Sequence, residues 1–290
     1  MNIKNVSFIG LGVMGYPMAG HLHKNGYNVT VYNRTEAKAK NWVNEYGGQM
    51  GKTPAEASKD AEVVFICVGR DEDIIEVMES DKGILVNAKE GMIIVDHTTA
   101  SAEIARKYFD KLLKLNIGFL DAPISGGQAG AENGVLSIMI GGATKDFETI
   151  KPVLQSYGKA IELIGSSGSG QIAKMINQIC IAGLVQGLSE AMAFGKKANV
   201  DMEKVLSVIS KGAAQSWQMD NRYRTMLDGK FDYGFAVDWM RKDLSICFNE
   251  AIKNGASLPI TKIVDKYYEE IQKNGGNRFD TSSLMTLVDK

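Results

Sequence analysis

The sequence predicts an α/β fold in which a doubly wound parallel sheet comes first and an all-helical carboxy-terminal domain follows, the two joined by one long helix. Three observations carry this. Short β-branched runs alternate with helical patterns through the first half of the chain. A glycine- and serine-rich stretch at residues 165–170 ends the alternation. Beyond it, apolar residues recur at helical spacing almost to the end. A length of 290 residues suits two domains, placed at residues 1–165 and 166–290.

The elements follow in order. Residues 6–9, 28–32, 63–66, 92–95 and 117–120 read as strands, each short, apolar and bounded by turn residues or charged helices. Residues 136–140 and 160–164 extend the same sheet. The clearest helix is 101–115, opened by Thr99-Ala100-Ser101 with Glu103 and Ile104 behind it and closed near Asn116 and Gly118. Residues 171 to about 199 are rich in Ala, Met, Leu and Ile and too long for a strand. Pro259 opens the last long helix, where its missing N–H costs nothing. Residues 165–170 lack the Lys-Ser/Thr ending of a nucleotide P-loop and read as a linker.

Composition excludes several classes of function. With 44% hydrophobic and 23% charged residues, the chain can bury a sizeable core, which argues against disorder and fibrous architecture. Lys and Arg total 33 against 34 Asp and Glu, so no basic field draws it to nucleic acid. A small molecule is the expected partner. Cys67, Cys180 and Cys247 lie far apart and form no CxxC pair, which suggests neither a disulfide framework nor a zinc site. That pattern suits a reducing compartment, the cytoplasm. The start, Met1 to Phe8 with Lys4, lacks the apolar stretch of a signal peptide. With no run of 18 uninterrupted apolar residues, no membrane span is expected. His21 and His23 are two apart and His97 stands alone, so no metal is expected.

Four motifs carry chemistry. Gly10-Leu11-Gly12-Val13-Met14-Gly15 follows a strand and opens a helix. In that context the first glycine permits a tight turn, the second lets backbone approach a pyrophosphate and the third lets helix and strand pack closely. The domain is therefore read as a Rossmann-type dinucleotide-binding unit, its helix N-terminus offered to the phosphates. Where NAD-binding chains carry an acidic residue for the ribose, this one has Asn33-Arg34-Thr35. A guanidinium that can pair with a 2′-phosphate, and no carboxylate to repel it, favour NADP(H), with NAD possible. Asp121-Ala122-Pro123-Ile124-Ser125-Gly126-Gly127 could be a plain turn or a concave loop of N–H groups for a carboxylate. Lys174 shares a helical face with Asn177 and Gln178 on an otherwise apolar helix. Either it snorkels to solvent or it exchanges a proton with a substrate oxygen.

Together these motifs and Lys242-Asp243-Leu244, in this order, resemble the β-hydroxyacid dehydrogenase family, which includes 3-hydroxyisobutyrate dehydrogenase, tartronate semialdehyde reductase and short-chain semialdehyde reductases. The resemblance covers nearly the whole chain. It implies that Ser125, Gly126 and Gly127 bind the substrate carboxylate, that Lys174 is the catalytic general acid/base, and that Asn177 and Gln178 hold the substrate. Many relatives carry Asn at the position of Gln178. It further implies that Val68, Gly69, Asp73 and Thr99 contact the cofactor, and that Lys242 lies near the nicotinamide, oriented by Asp243. Trp217, Phe235, Trp239 and Met240 are candidates to read the rest of the substrate. The more distant 6-phosphogluconate dehydrogenases have a larger helical domain and a His where this chain has Ile176, and imine reductases usually lack the lysine. A non-catalytic dinucleotide-binding scaffold or sensor on the same fold is the alternative from another class, against which Lys174 and the intact loop both speak. The expectation is an NADP(H)-dependent oxidoreductase that reduces a small semialdehyde acid, with its active site in a cleft between the domains and a homodimeric or homotetrameric assembly.

Overall fold

A computed structural model describes residues 3–289. Met1 and Asn2, part of the start read above as lacking a leader, lie outside them. Among the described residues nine strands form one sheet: β1 (Asn5–Ile9), β2 (Asn28–Tyr32), β3 (Gln49–Met50), β4 (Val63–Ile66), β5 (Ile93–Asp96), β6 (Gly118–Asp121), β7 (Ile124–Ser125), β8 (Leu136–Gly142) and β9 (Gly158–Gly165). Seven helices accompany them: α1 (Gly15–Lys24), α2 (Glu36–Tyr46), α3 (Pro54–Ser58), α4 (Asp71–Glu79), α5 (Ala102–Leu113), α6 (Gly127–Glu132) and α7 (Thr144–Leu154). Then come α8 (Ser169–Lys197), α9 (Met202–Ile209), α10 (Trp217–Leu227), α11 (Val237–Asn254), α12 (Pro259–Lys273) and α13 (Met285–Val288).

The sheet runs β3-β2-β1-β4-β5-β6-β8-β7, with β9 against β8. The first six strands are mutually parallel, and β8 is antiparallel to β6 and β7. Because successive side chains on a strand face opposite ways, a sheet covered on both sides needs apolar residues at every position. β4 shows this: Val63 and Phe65 join the core that includes Met18, Leu22 and Trp42, while Val64 and Ile66 join Ile74, Ile104 and Tyr108 on the other face. Chain order reverses at β1, which lies between β2 and β4. A doubly wound sheet binds its ligand at this point, beyond the carboxyl ends of the strands.

The expected strands are all present, some shifted by a residue or two. The sequence reading does not anticipate β3 and β7, since two residues are too few to show a period. Residues 165–170 are no open linker: Gly165 ends β9, Gly168 turns with φ +88°, and α8 starts at Ser169. The expected boundary after residue 165 falls at the end of β9, whereas the chain divides into two compact units between Lys174 and Met175. In the second unit, Ala182, Val185, Met240, Leu244, Val264 and Tyr268 pack one core, and Leu188, Met192, Leu206, Met219 and Met226 pack another.

One element meets a test of length and composition that the search for uninterrupted apolar runs does not apply. Among the described residues, α8 alone is long and apolar enough to cross a membrane by length and composition, although 44% of its most apolar 18-residue window is buried in the protein. Polar residues such as Gln186 and Glu190 break its apolar runs, so a search for uninterrupted stretches passes over it.

Candidate active site

The glycine turn after β1 is built as its spacing demands. Gly10 has φ +102°, and a Cβ there would stand 2.2 Å from the Cys67 carbonyl oxygen at the end of β4. A Cβ on Gly15 would stand 2.0 Å from the Gly10 carbonyl oxygen. Both positions are closed to any other residue. Gly12 differs, since a Cβ there meets nothing within 4 Å. The turn thus offers bare backbone to open space between two packed glycines. Leu11 is buried and Val13 exposed.

Asn33, at the end of β2, braces this turn: its Oδ1 accepts the Leu11 N–H at 2.9 Å and its Nδ2 donates to the Thr35 carbonyl at 3.1 Å. Thr35 precedes α2 without a side-chain cap. Arg34 is exposed, with Nη1 3.4 Å from Asp73 and 3.7 Å from Glu76 on α4. Val68 follows β4, and its N–H donates to the Thr98 hydroxyl at 3.1 Å. Gly69 comes next, ahead of α4. Thr99 follows β5. The segments carrying Asn33, Val68 and Thr99 thus all leave the carboxyl ends of neighbouring parallel strands, as the glycine turn does.

Beside β5 the chain turns into the loop of residues 122–127. Ser125 ends β7, Gly126 has φ +134°, and Gly127, with φ +62°, opens α6. These two left-handed residues explain why glycine stands at both. Lys174 is buried on α8, and its Nζ donates to the Ile124 carbonyl at 2.9 Å. The structure therefore brings Lys174 against the loop, and the lysine does not snorkel to solvent.

In the second unit, a polar chain runs through an apolar core. Gln178, buried, donates from Nε2 to Asp243 Oδ2 at 2.6 Å and accepts at Oε1 from Asn177 Nδ2 at 2.7 Å. Asp243 is also buried, and its Oδ1 lies 2.8 Å from Lys242 Nζ. Both ends of the Gln178 amide are engaged by protein, so Gln178 sets the orientation of the Asn177 amide. The Lys242 ammonium also stands 5.9 Å from the Trp239 ring centroid. Met240 is buried, whereas Trp217 and Phe235 keep exposed ring surface.

Three buried polar residues to which the sequence reading gave no supporting role hold these parts in place. Asp121, at the end of β6, accepts the N–H groups of Gly168 (2.7 Å) and Gln171 (3.0 Å), and so caps the start of α8. Burial pushes its carboxyl upward despite these bonds. Asp96, at the end of β5, is pushed up to about 7 by burial, with Thr98 bonds opposing. His97 is pulled down to about 4 by burial. It is therefore neutral at pH 7, with Nδ1 2.6 Å from the Ala122 carbonyl and Nε2 2.8 Å from the Tyr157 hydroxyl. A neutral ring satisfies both contacts by donating from Nδ1 and accepting at Nε2. The signal was present in Asp96-His97 and Asp121 at strand ends; Asp96 bonds Thr98 two residues on, but the partners of His97 and Asp121 are 25 to 60 residues away.

Known proteins resemble the chain in sequence and fold. Residues 5–165 match the family described as the NAD binding domain of 6-phosphogluconate dehydrogenase. Residues 168–288 match the one described as the NAD-binding region of NADP-dependent 3-hydroxyisobutyrate dehydrogenase. The chain is 56% identical to an uncharacterized oxidoreductase of Shewanella frigidimarina over 98% of both chains. It is 31% identical to the 2-hydroxy-3-oxopropionate reductase of Escherichia coli over 98% of this chain and 97% of that one. Its fold resembles that of a 3-hydroxyisobutyrate dehydrogenase from Mycobacterium tuberculosis, with a TM-score of 0.88 at 24% identity over 99% and 100% of the two chains.

Proposed function

Because the chain belongs to the β-hydroxyacid dehydrogenase family, whose members are NAD(P)-dependent oxidoreductases of small hydroxyacids, we propose that it interconverts a short β-hydroxyacid and its semialdehyde, with NADP(H) preferred and reduction the working direction. One observation carries the reading. The Lys174 ammonium is tied at 2.9 Å to the backbone of the loop that would take the substrate carboxylate. A proton donor is thereby placed one residue from Ser125.

The residues present fit a dinucleotide. The open face of Gly12, between two positions that admit no side chain, is the cradle a pyrophosphate requires. The glycine turn, Val68, Gly69 and Thr99 would hold the dinucleotide, with Arg34 at the 2′-phosphate and Lys242 near the nicotinamide. When bound, that group supplies hydride exchange at carbon. The chain supplies the rest. Ser125, Gly126 and Gly127 hold the carboxylate, and Asn177, oriented by Gln178 and Asp243, holds the reacting oxygen. In reduction Lys174 donates its proton to that oxygen as negative charge develops; in oxidation the neutral amine takes the hydroxyl proton. Substrates of the 3-hydroxyisobutyrate, tartronate semialdehyde and succinic semialdehyde types share the groups this arrangement reads.

The wide spacing of Cys67, Cys180 and Cys247 in the sequence, with no CxxC pair, supports a reducing compartment, and we place the chain in the cytoplasm. Exposed Leu184 and Phe194 on α8 support self-association as a dimer or tetramer, which the mass of the purified chain by light scattering reads directly. The function itself is tested by following NADPH and NADH oxidation with a panel of short semialdehyde acids. The reading expects turnover with at least one member and a lower KM for NADPH. Tight NADPH binding without turnover on any member would instead support the scaffold reading.

A further inference from the structure

α8 begins with a buried glutamine whose side chain is fully engaged away from its own helix. Gln171 Nε2 donates to the Thr98 carbonyl at 2.7 Å, and Gln171 Oε1 accepts the Ala100 N–H at 3.0 Å. The amide thus pairs with the two peptide groups that flank Thr99, much as a neighbouring strand would. Gln171's own N–H is fixed by Asp121. Three residues on, and so on the same helical face, Lys174 reaches the Ile124 carbonyl. The first two turns of α8 therefore touch both loops the proposed reaction uses.

The remaining bonds in the β5–α5 segment show how much the segment depends on this clamp. The Thr98 N–H is held by Asp96 and the Ser101 N–H by Asp71. Between those anchors the Thr98 carbonyl and the Ala100 N–H are held by Gln171. A side chain that only needed its own polarity satisfied could use any one carbonyl. Here one planar amide joins an acceptor and a donor two residues apart, which fixes the path of the backbone and not merely its burial.

We propose that Gln171 is the positioning residue that sets Thr99, on the dinucleotide side, at a fixed distance from Lys174, on the proton-transfer side. It touches neither reactant and acts through the two residues it spaces. This rests on the functional reading above for what Thr99 and Lys174 do, whereas the clamp itself is read from the fold.

Two substitutions separate this role from simple packing. Gln171→Met keeps the volume and removes both bonds. Gln171→Glu keeps the acceptor for Ala100, but can donate to the Thr98 carbonyl only while its carboxyl is protonated. The charged and titratable groups around that position are Asp121 at the end of β6, Asp96 at the end of β5, Asp71 on α4, Arg106 on α5, against Gly168, and Lys174 one turn along α8. Two buried carboxyls close by oppose ionisation of a third. Asp96 titrates in every form, so each profile is read as its difference from the unmodified protein.

The measurements are hydrogen exchange at the Ala100 amide in cofactor-free protein, fluorescence titration with NADPH, and kcat against pH. In Gln171→Met the Ala100 amide should lose protection at least tenfold, NADPH should bind more weakly, and kcat should fall about tenfold or more, since small misplacements of reacting groups are costly. In Gln171→Glu, NADPH affinity and kcat should approach the unmodified values at low pH and fall as pH rises, with a titration step that the unmodified protein lacks. Should Gln171→Met fail to fold, the Gln171→Glu profile and its Ala100 exchange at low pH decide alone. Flat difference profiles with unchanged NADPH affinity would overturn the proposal. Because exchange and NADPH titration need no substrate, they still judge the clamp if no semialdehyde is turned over.

Discussion

At the scale of single residues, the cofactor preference turns on a balance of charges at Arg34. Its guanidinium rests 3.4 Å from Asp73 and 3.7 Å from Glu76 on a well-solvated surface, where such pairs contribute little. A 2′-phosphate with two negative charges would therefore displace the two carboxylates easily as a partner, yet they remain close enough to repel it. Arg34→Ala should raise the KM for NADPH about tenfold or more and leave that for NADH nearly unchanged, because a charge-assisted bond is worth roughly 1.5–3 kcal/mol. Glu76→Gln should move the NADPH constant the other way. Equal responses of both dinucleotides to Arg34→Ala would remove Arg34 from the 2′-phosphate role. Asn33 belongs to a different category although it is the next residue, for its side chain is committed to the Leu11 N–H.

At the scale of elements, the β1–α1 joint separates folding from binding within one motif. The glycines at positions 10 and 15 are required by packing, since a Cβ would overlap backbone oxygen at 2.2 and 2.0 Å. The glycine at position 12 is not, since its Cβ would project into open space. Gly15→Ala should lower Tm by several degrees, an overpacking cost of roughly 1–3 kcal/mol. Gly12→Val should keep Tm within a degree or two and abolish NADPH binding by filling the cradle. Thermal melts paired with fluorescence titration check both. A Gly12→Val protein that binds NADPH normally would move the pyrophosphate elsewhere.

At the scale of the whole molecule, legibility followed the distance between partners in the chain. The βαβ alternation and the glycine turn were legible because apolar period, turn chemistry and helix start all fall within about thirty residues. The start of α5 was legible too, with the Ser101 hydroxyl accepting the Ile104 N–H as its sequence suggests. Lys174 stood out as a polar residue on an apolar helix, but its partner Ile124 lies 50 residues back. Gln171 gave no signal at all, because its partners lie 71 and 73 residues away and a glutamine in a first helical turn is unremarkable. Gln178 was legible from helical spacing as a neighbour of Lys174, and its substrate role was read only by resemblance. The structure shows why its place in the polar chain could not be read, since Asp243 is 65 residues further on. The carboxyl-terminal half offered little beyond helical period, which does not say which faces meet.

The central claim is that Lys174 moves the proton between solvent-excluded protein and substrate oxygen. It is tested most directly by steady-state turnover of Lys174→Ala, with NADPH binding followed in parallel by fluorescence titration. The account predicts a fall in kcat of about 100-fold or more with NADPH affinity retained, the usual scale for loss of a general acid or base. Lys174→Arg should not restore it, because a guanidinium holds its proton throughout the pH range. Full turnover in Lys174→Ala, with NADPH bound as in the unmodified protein, would contradict the account.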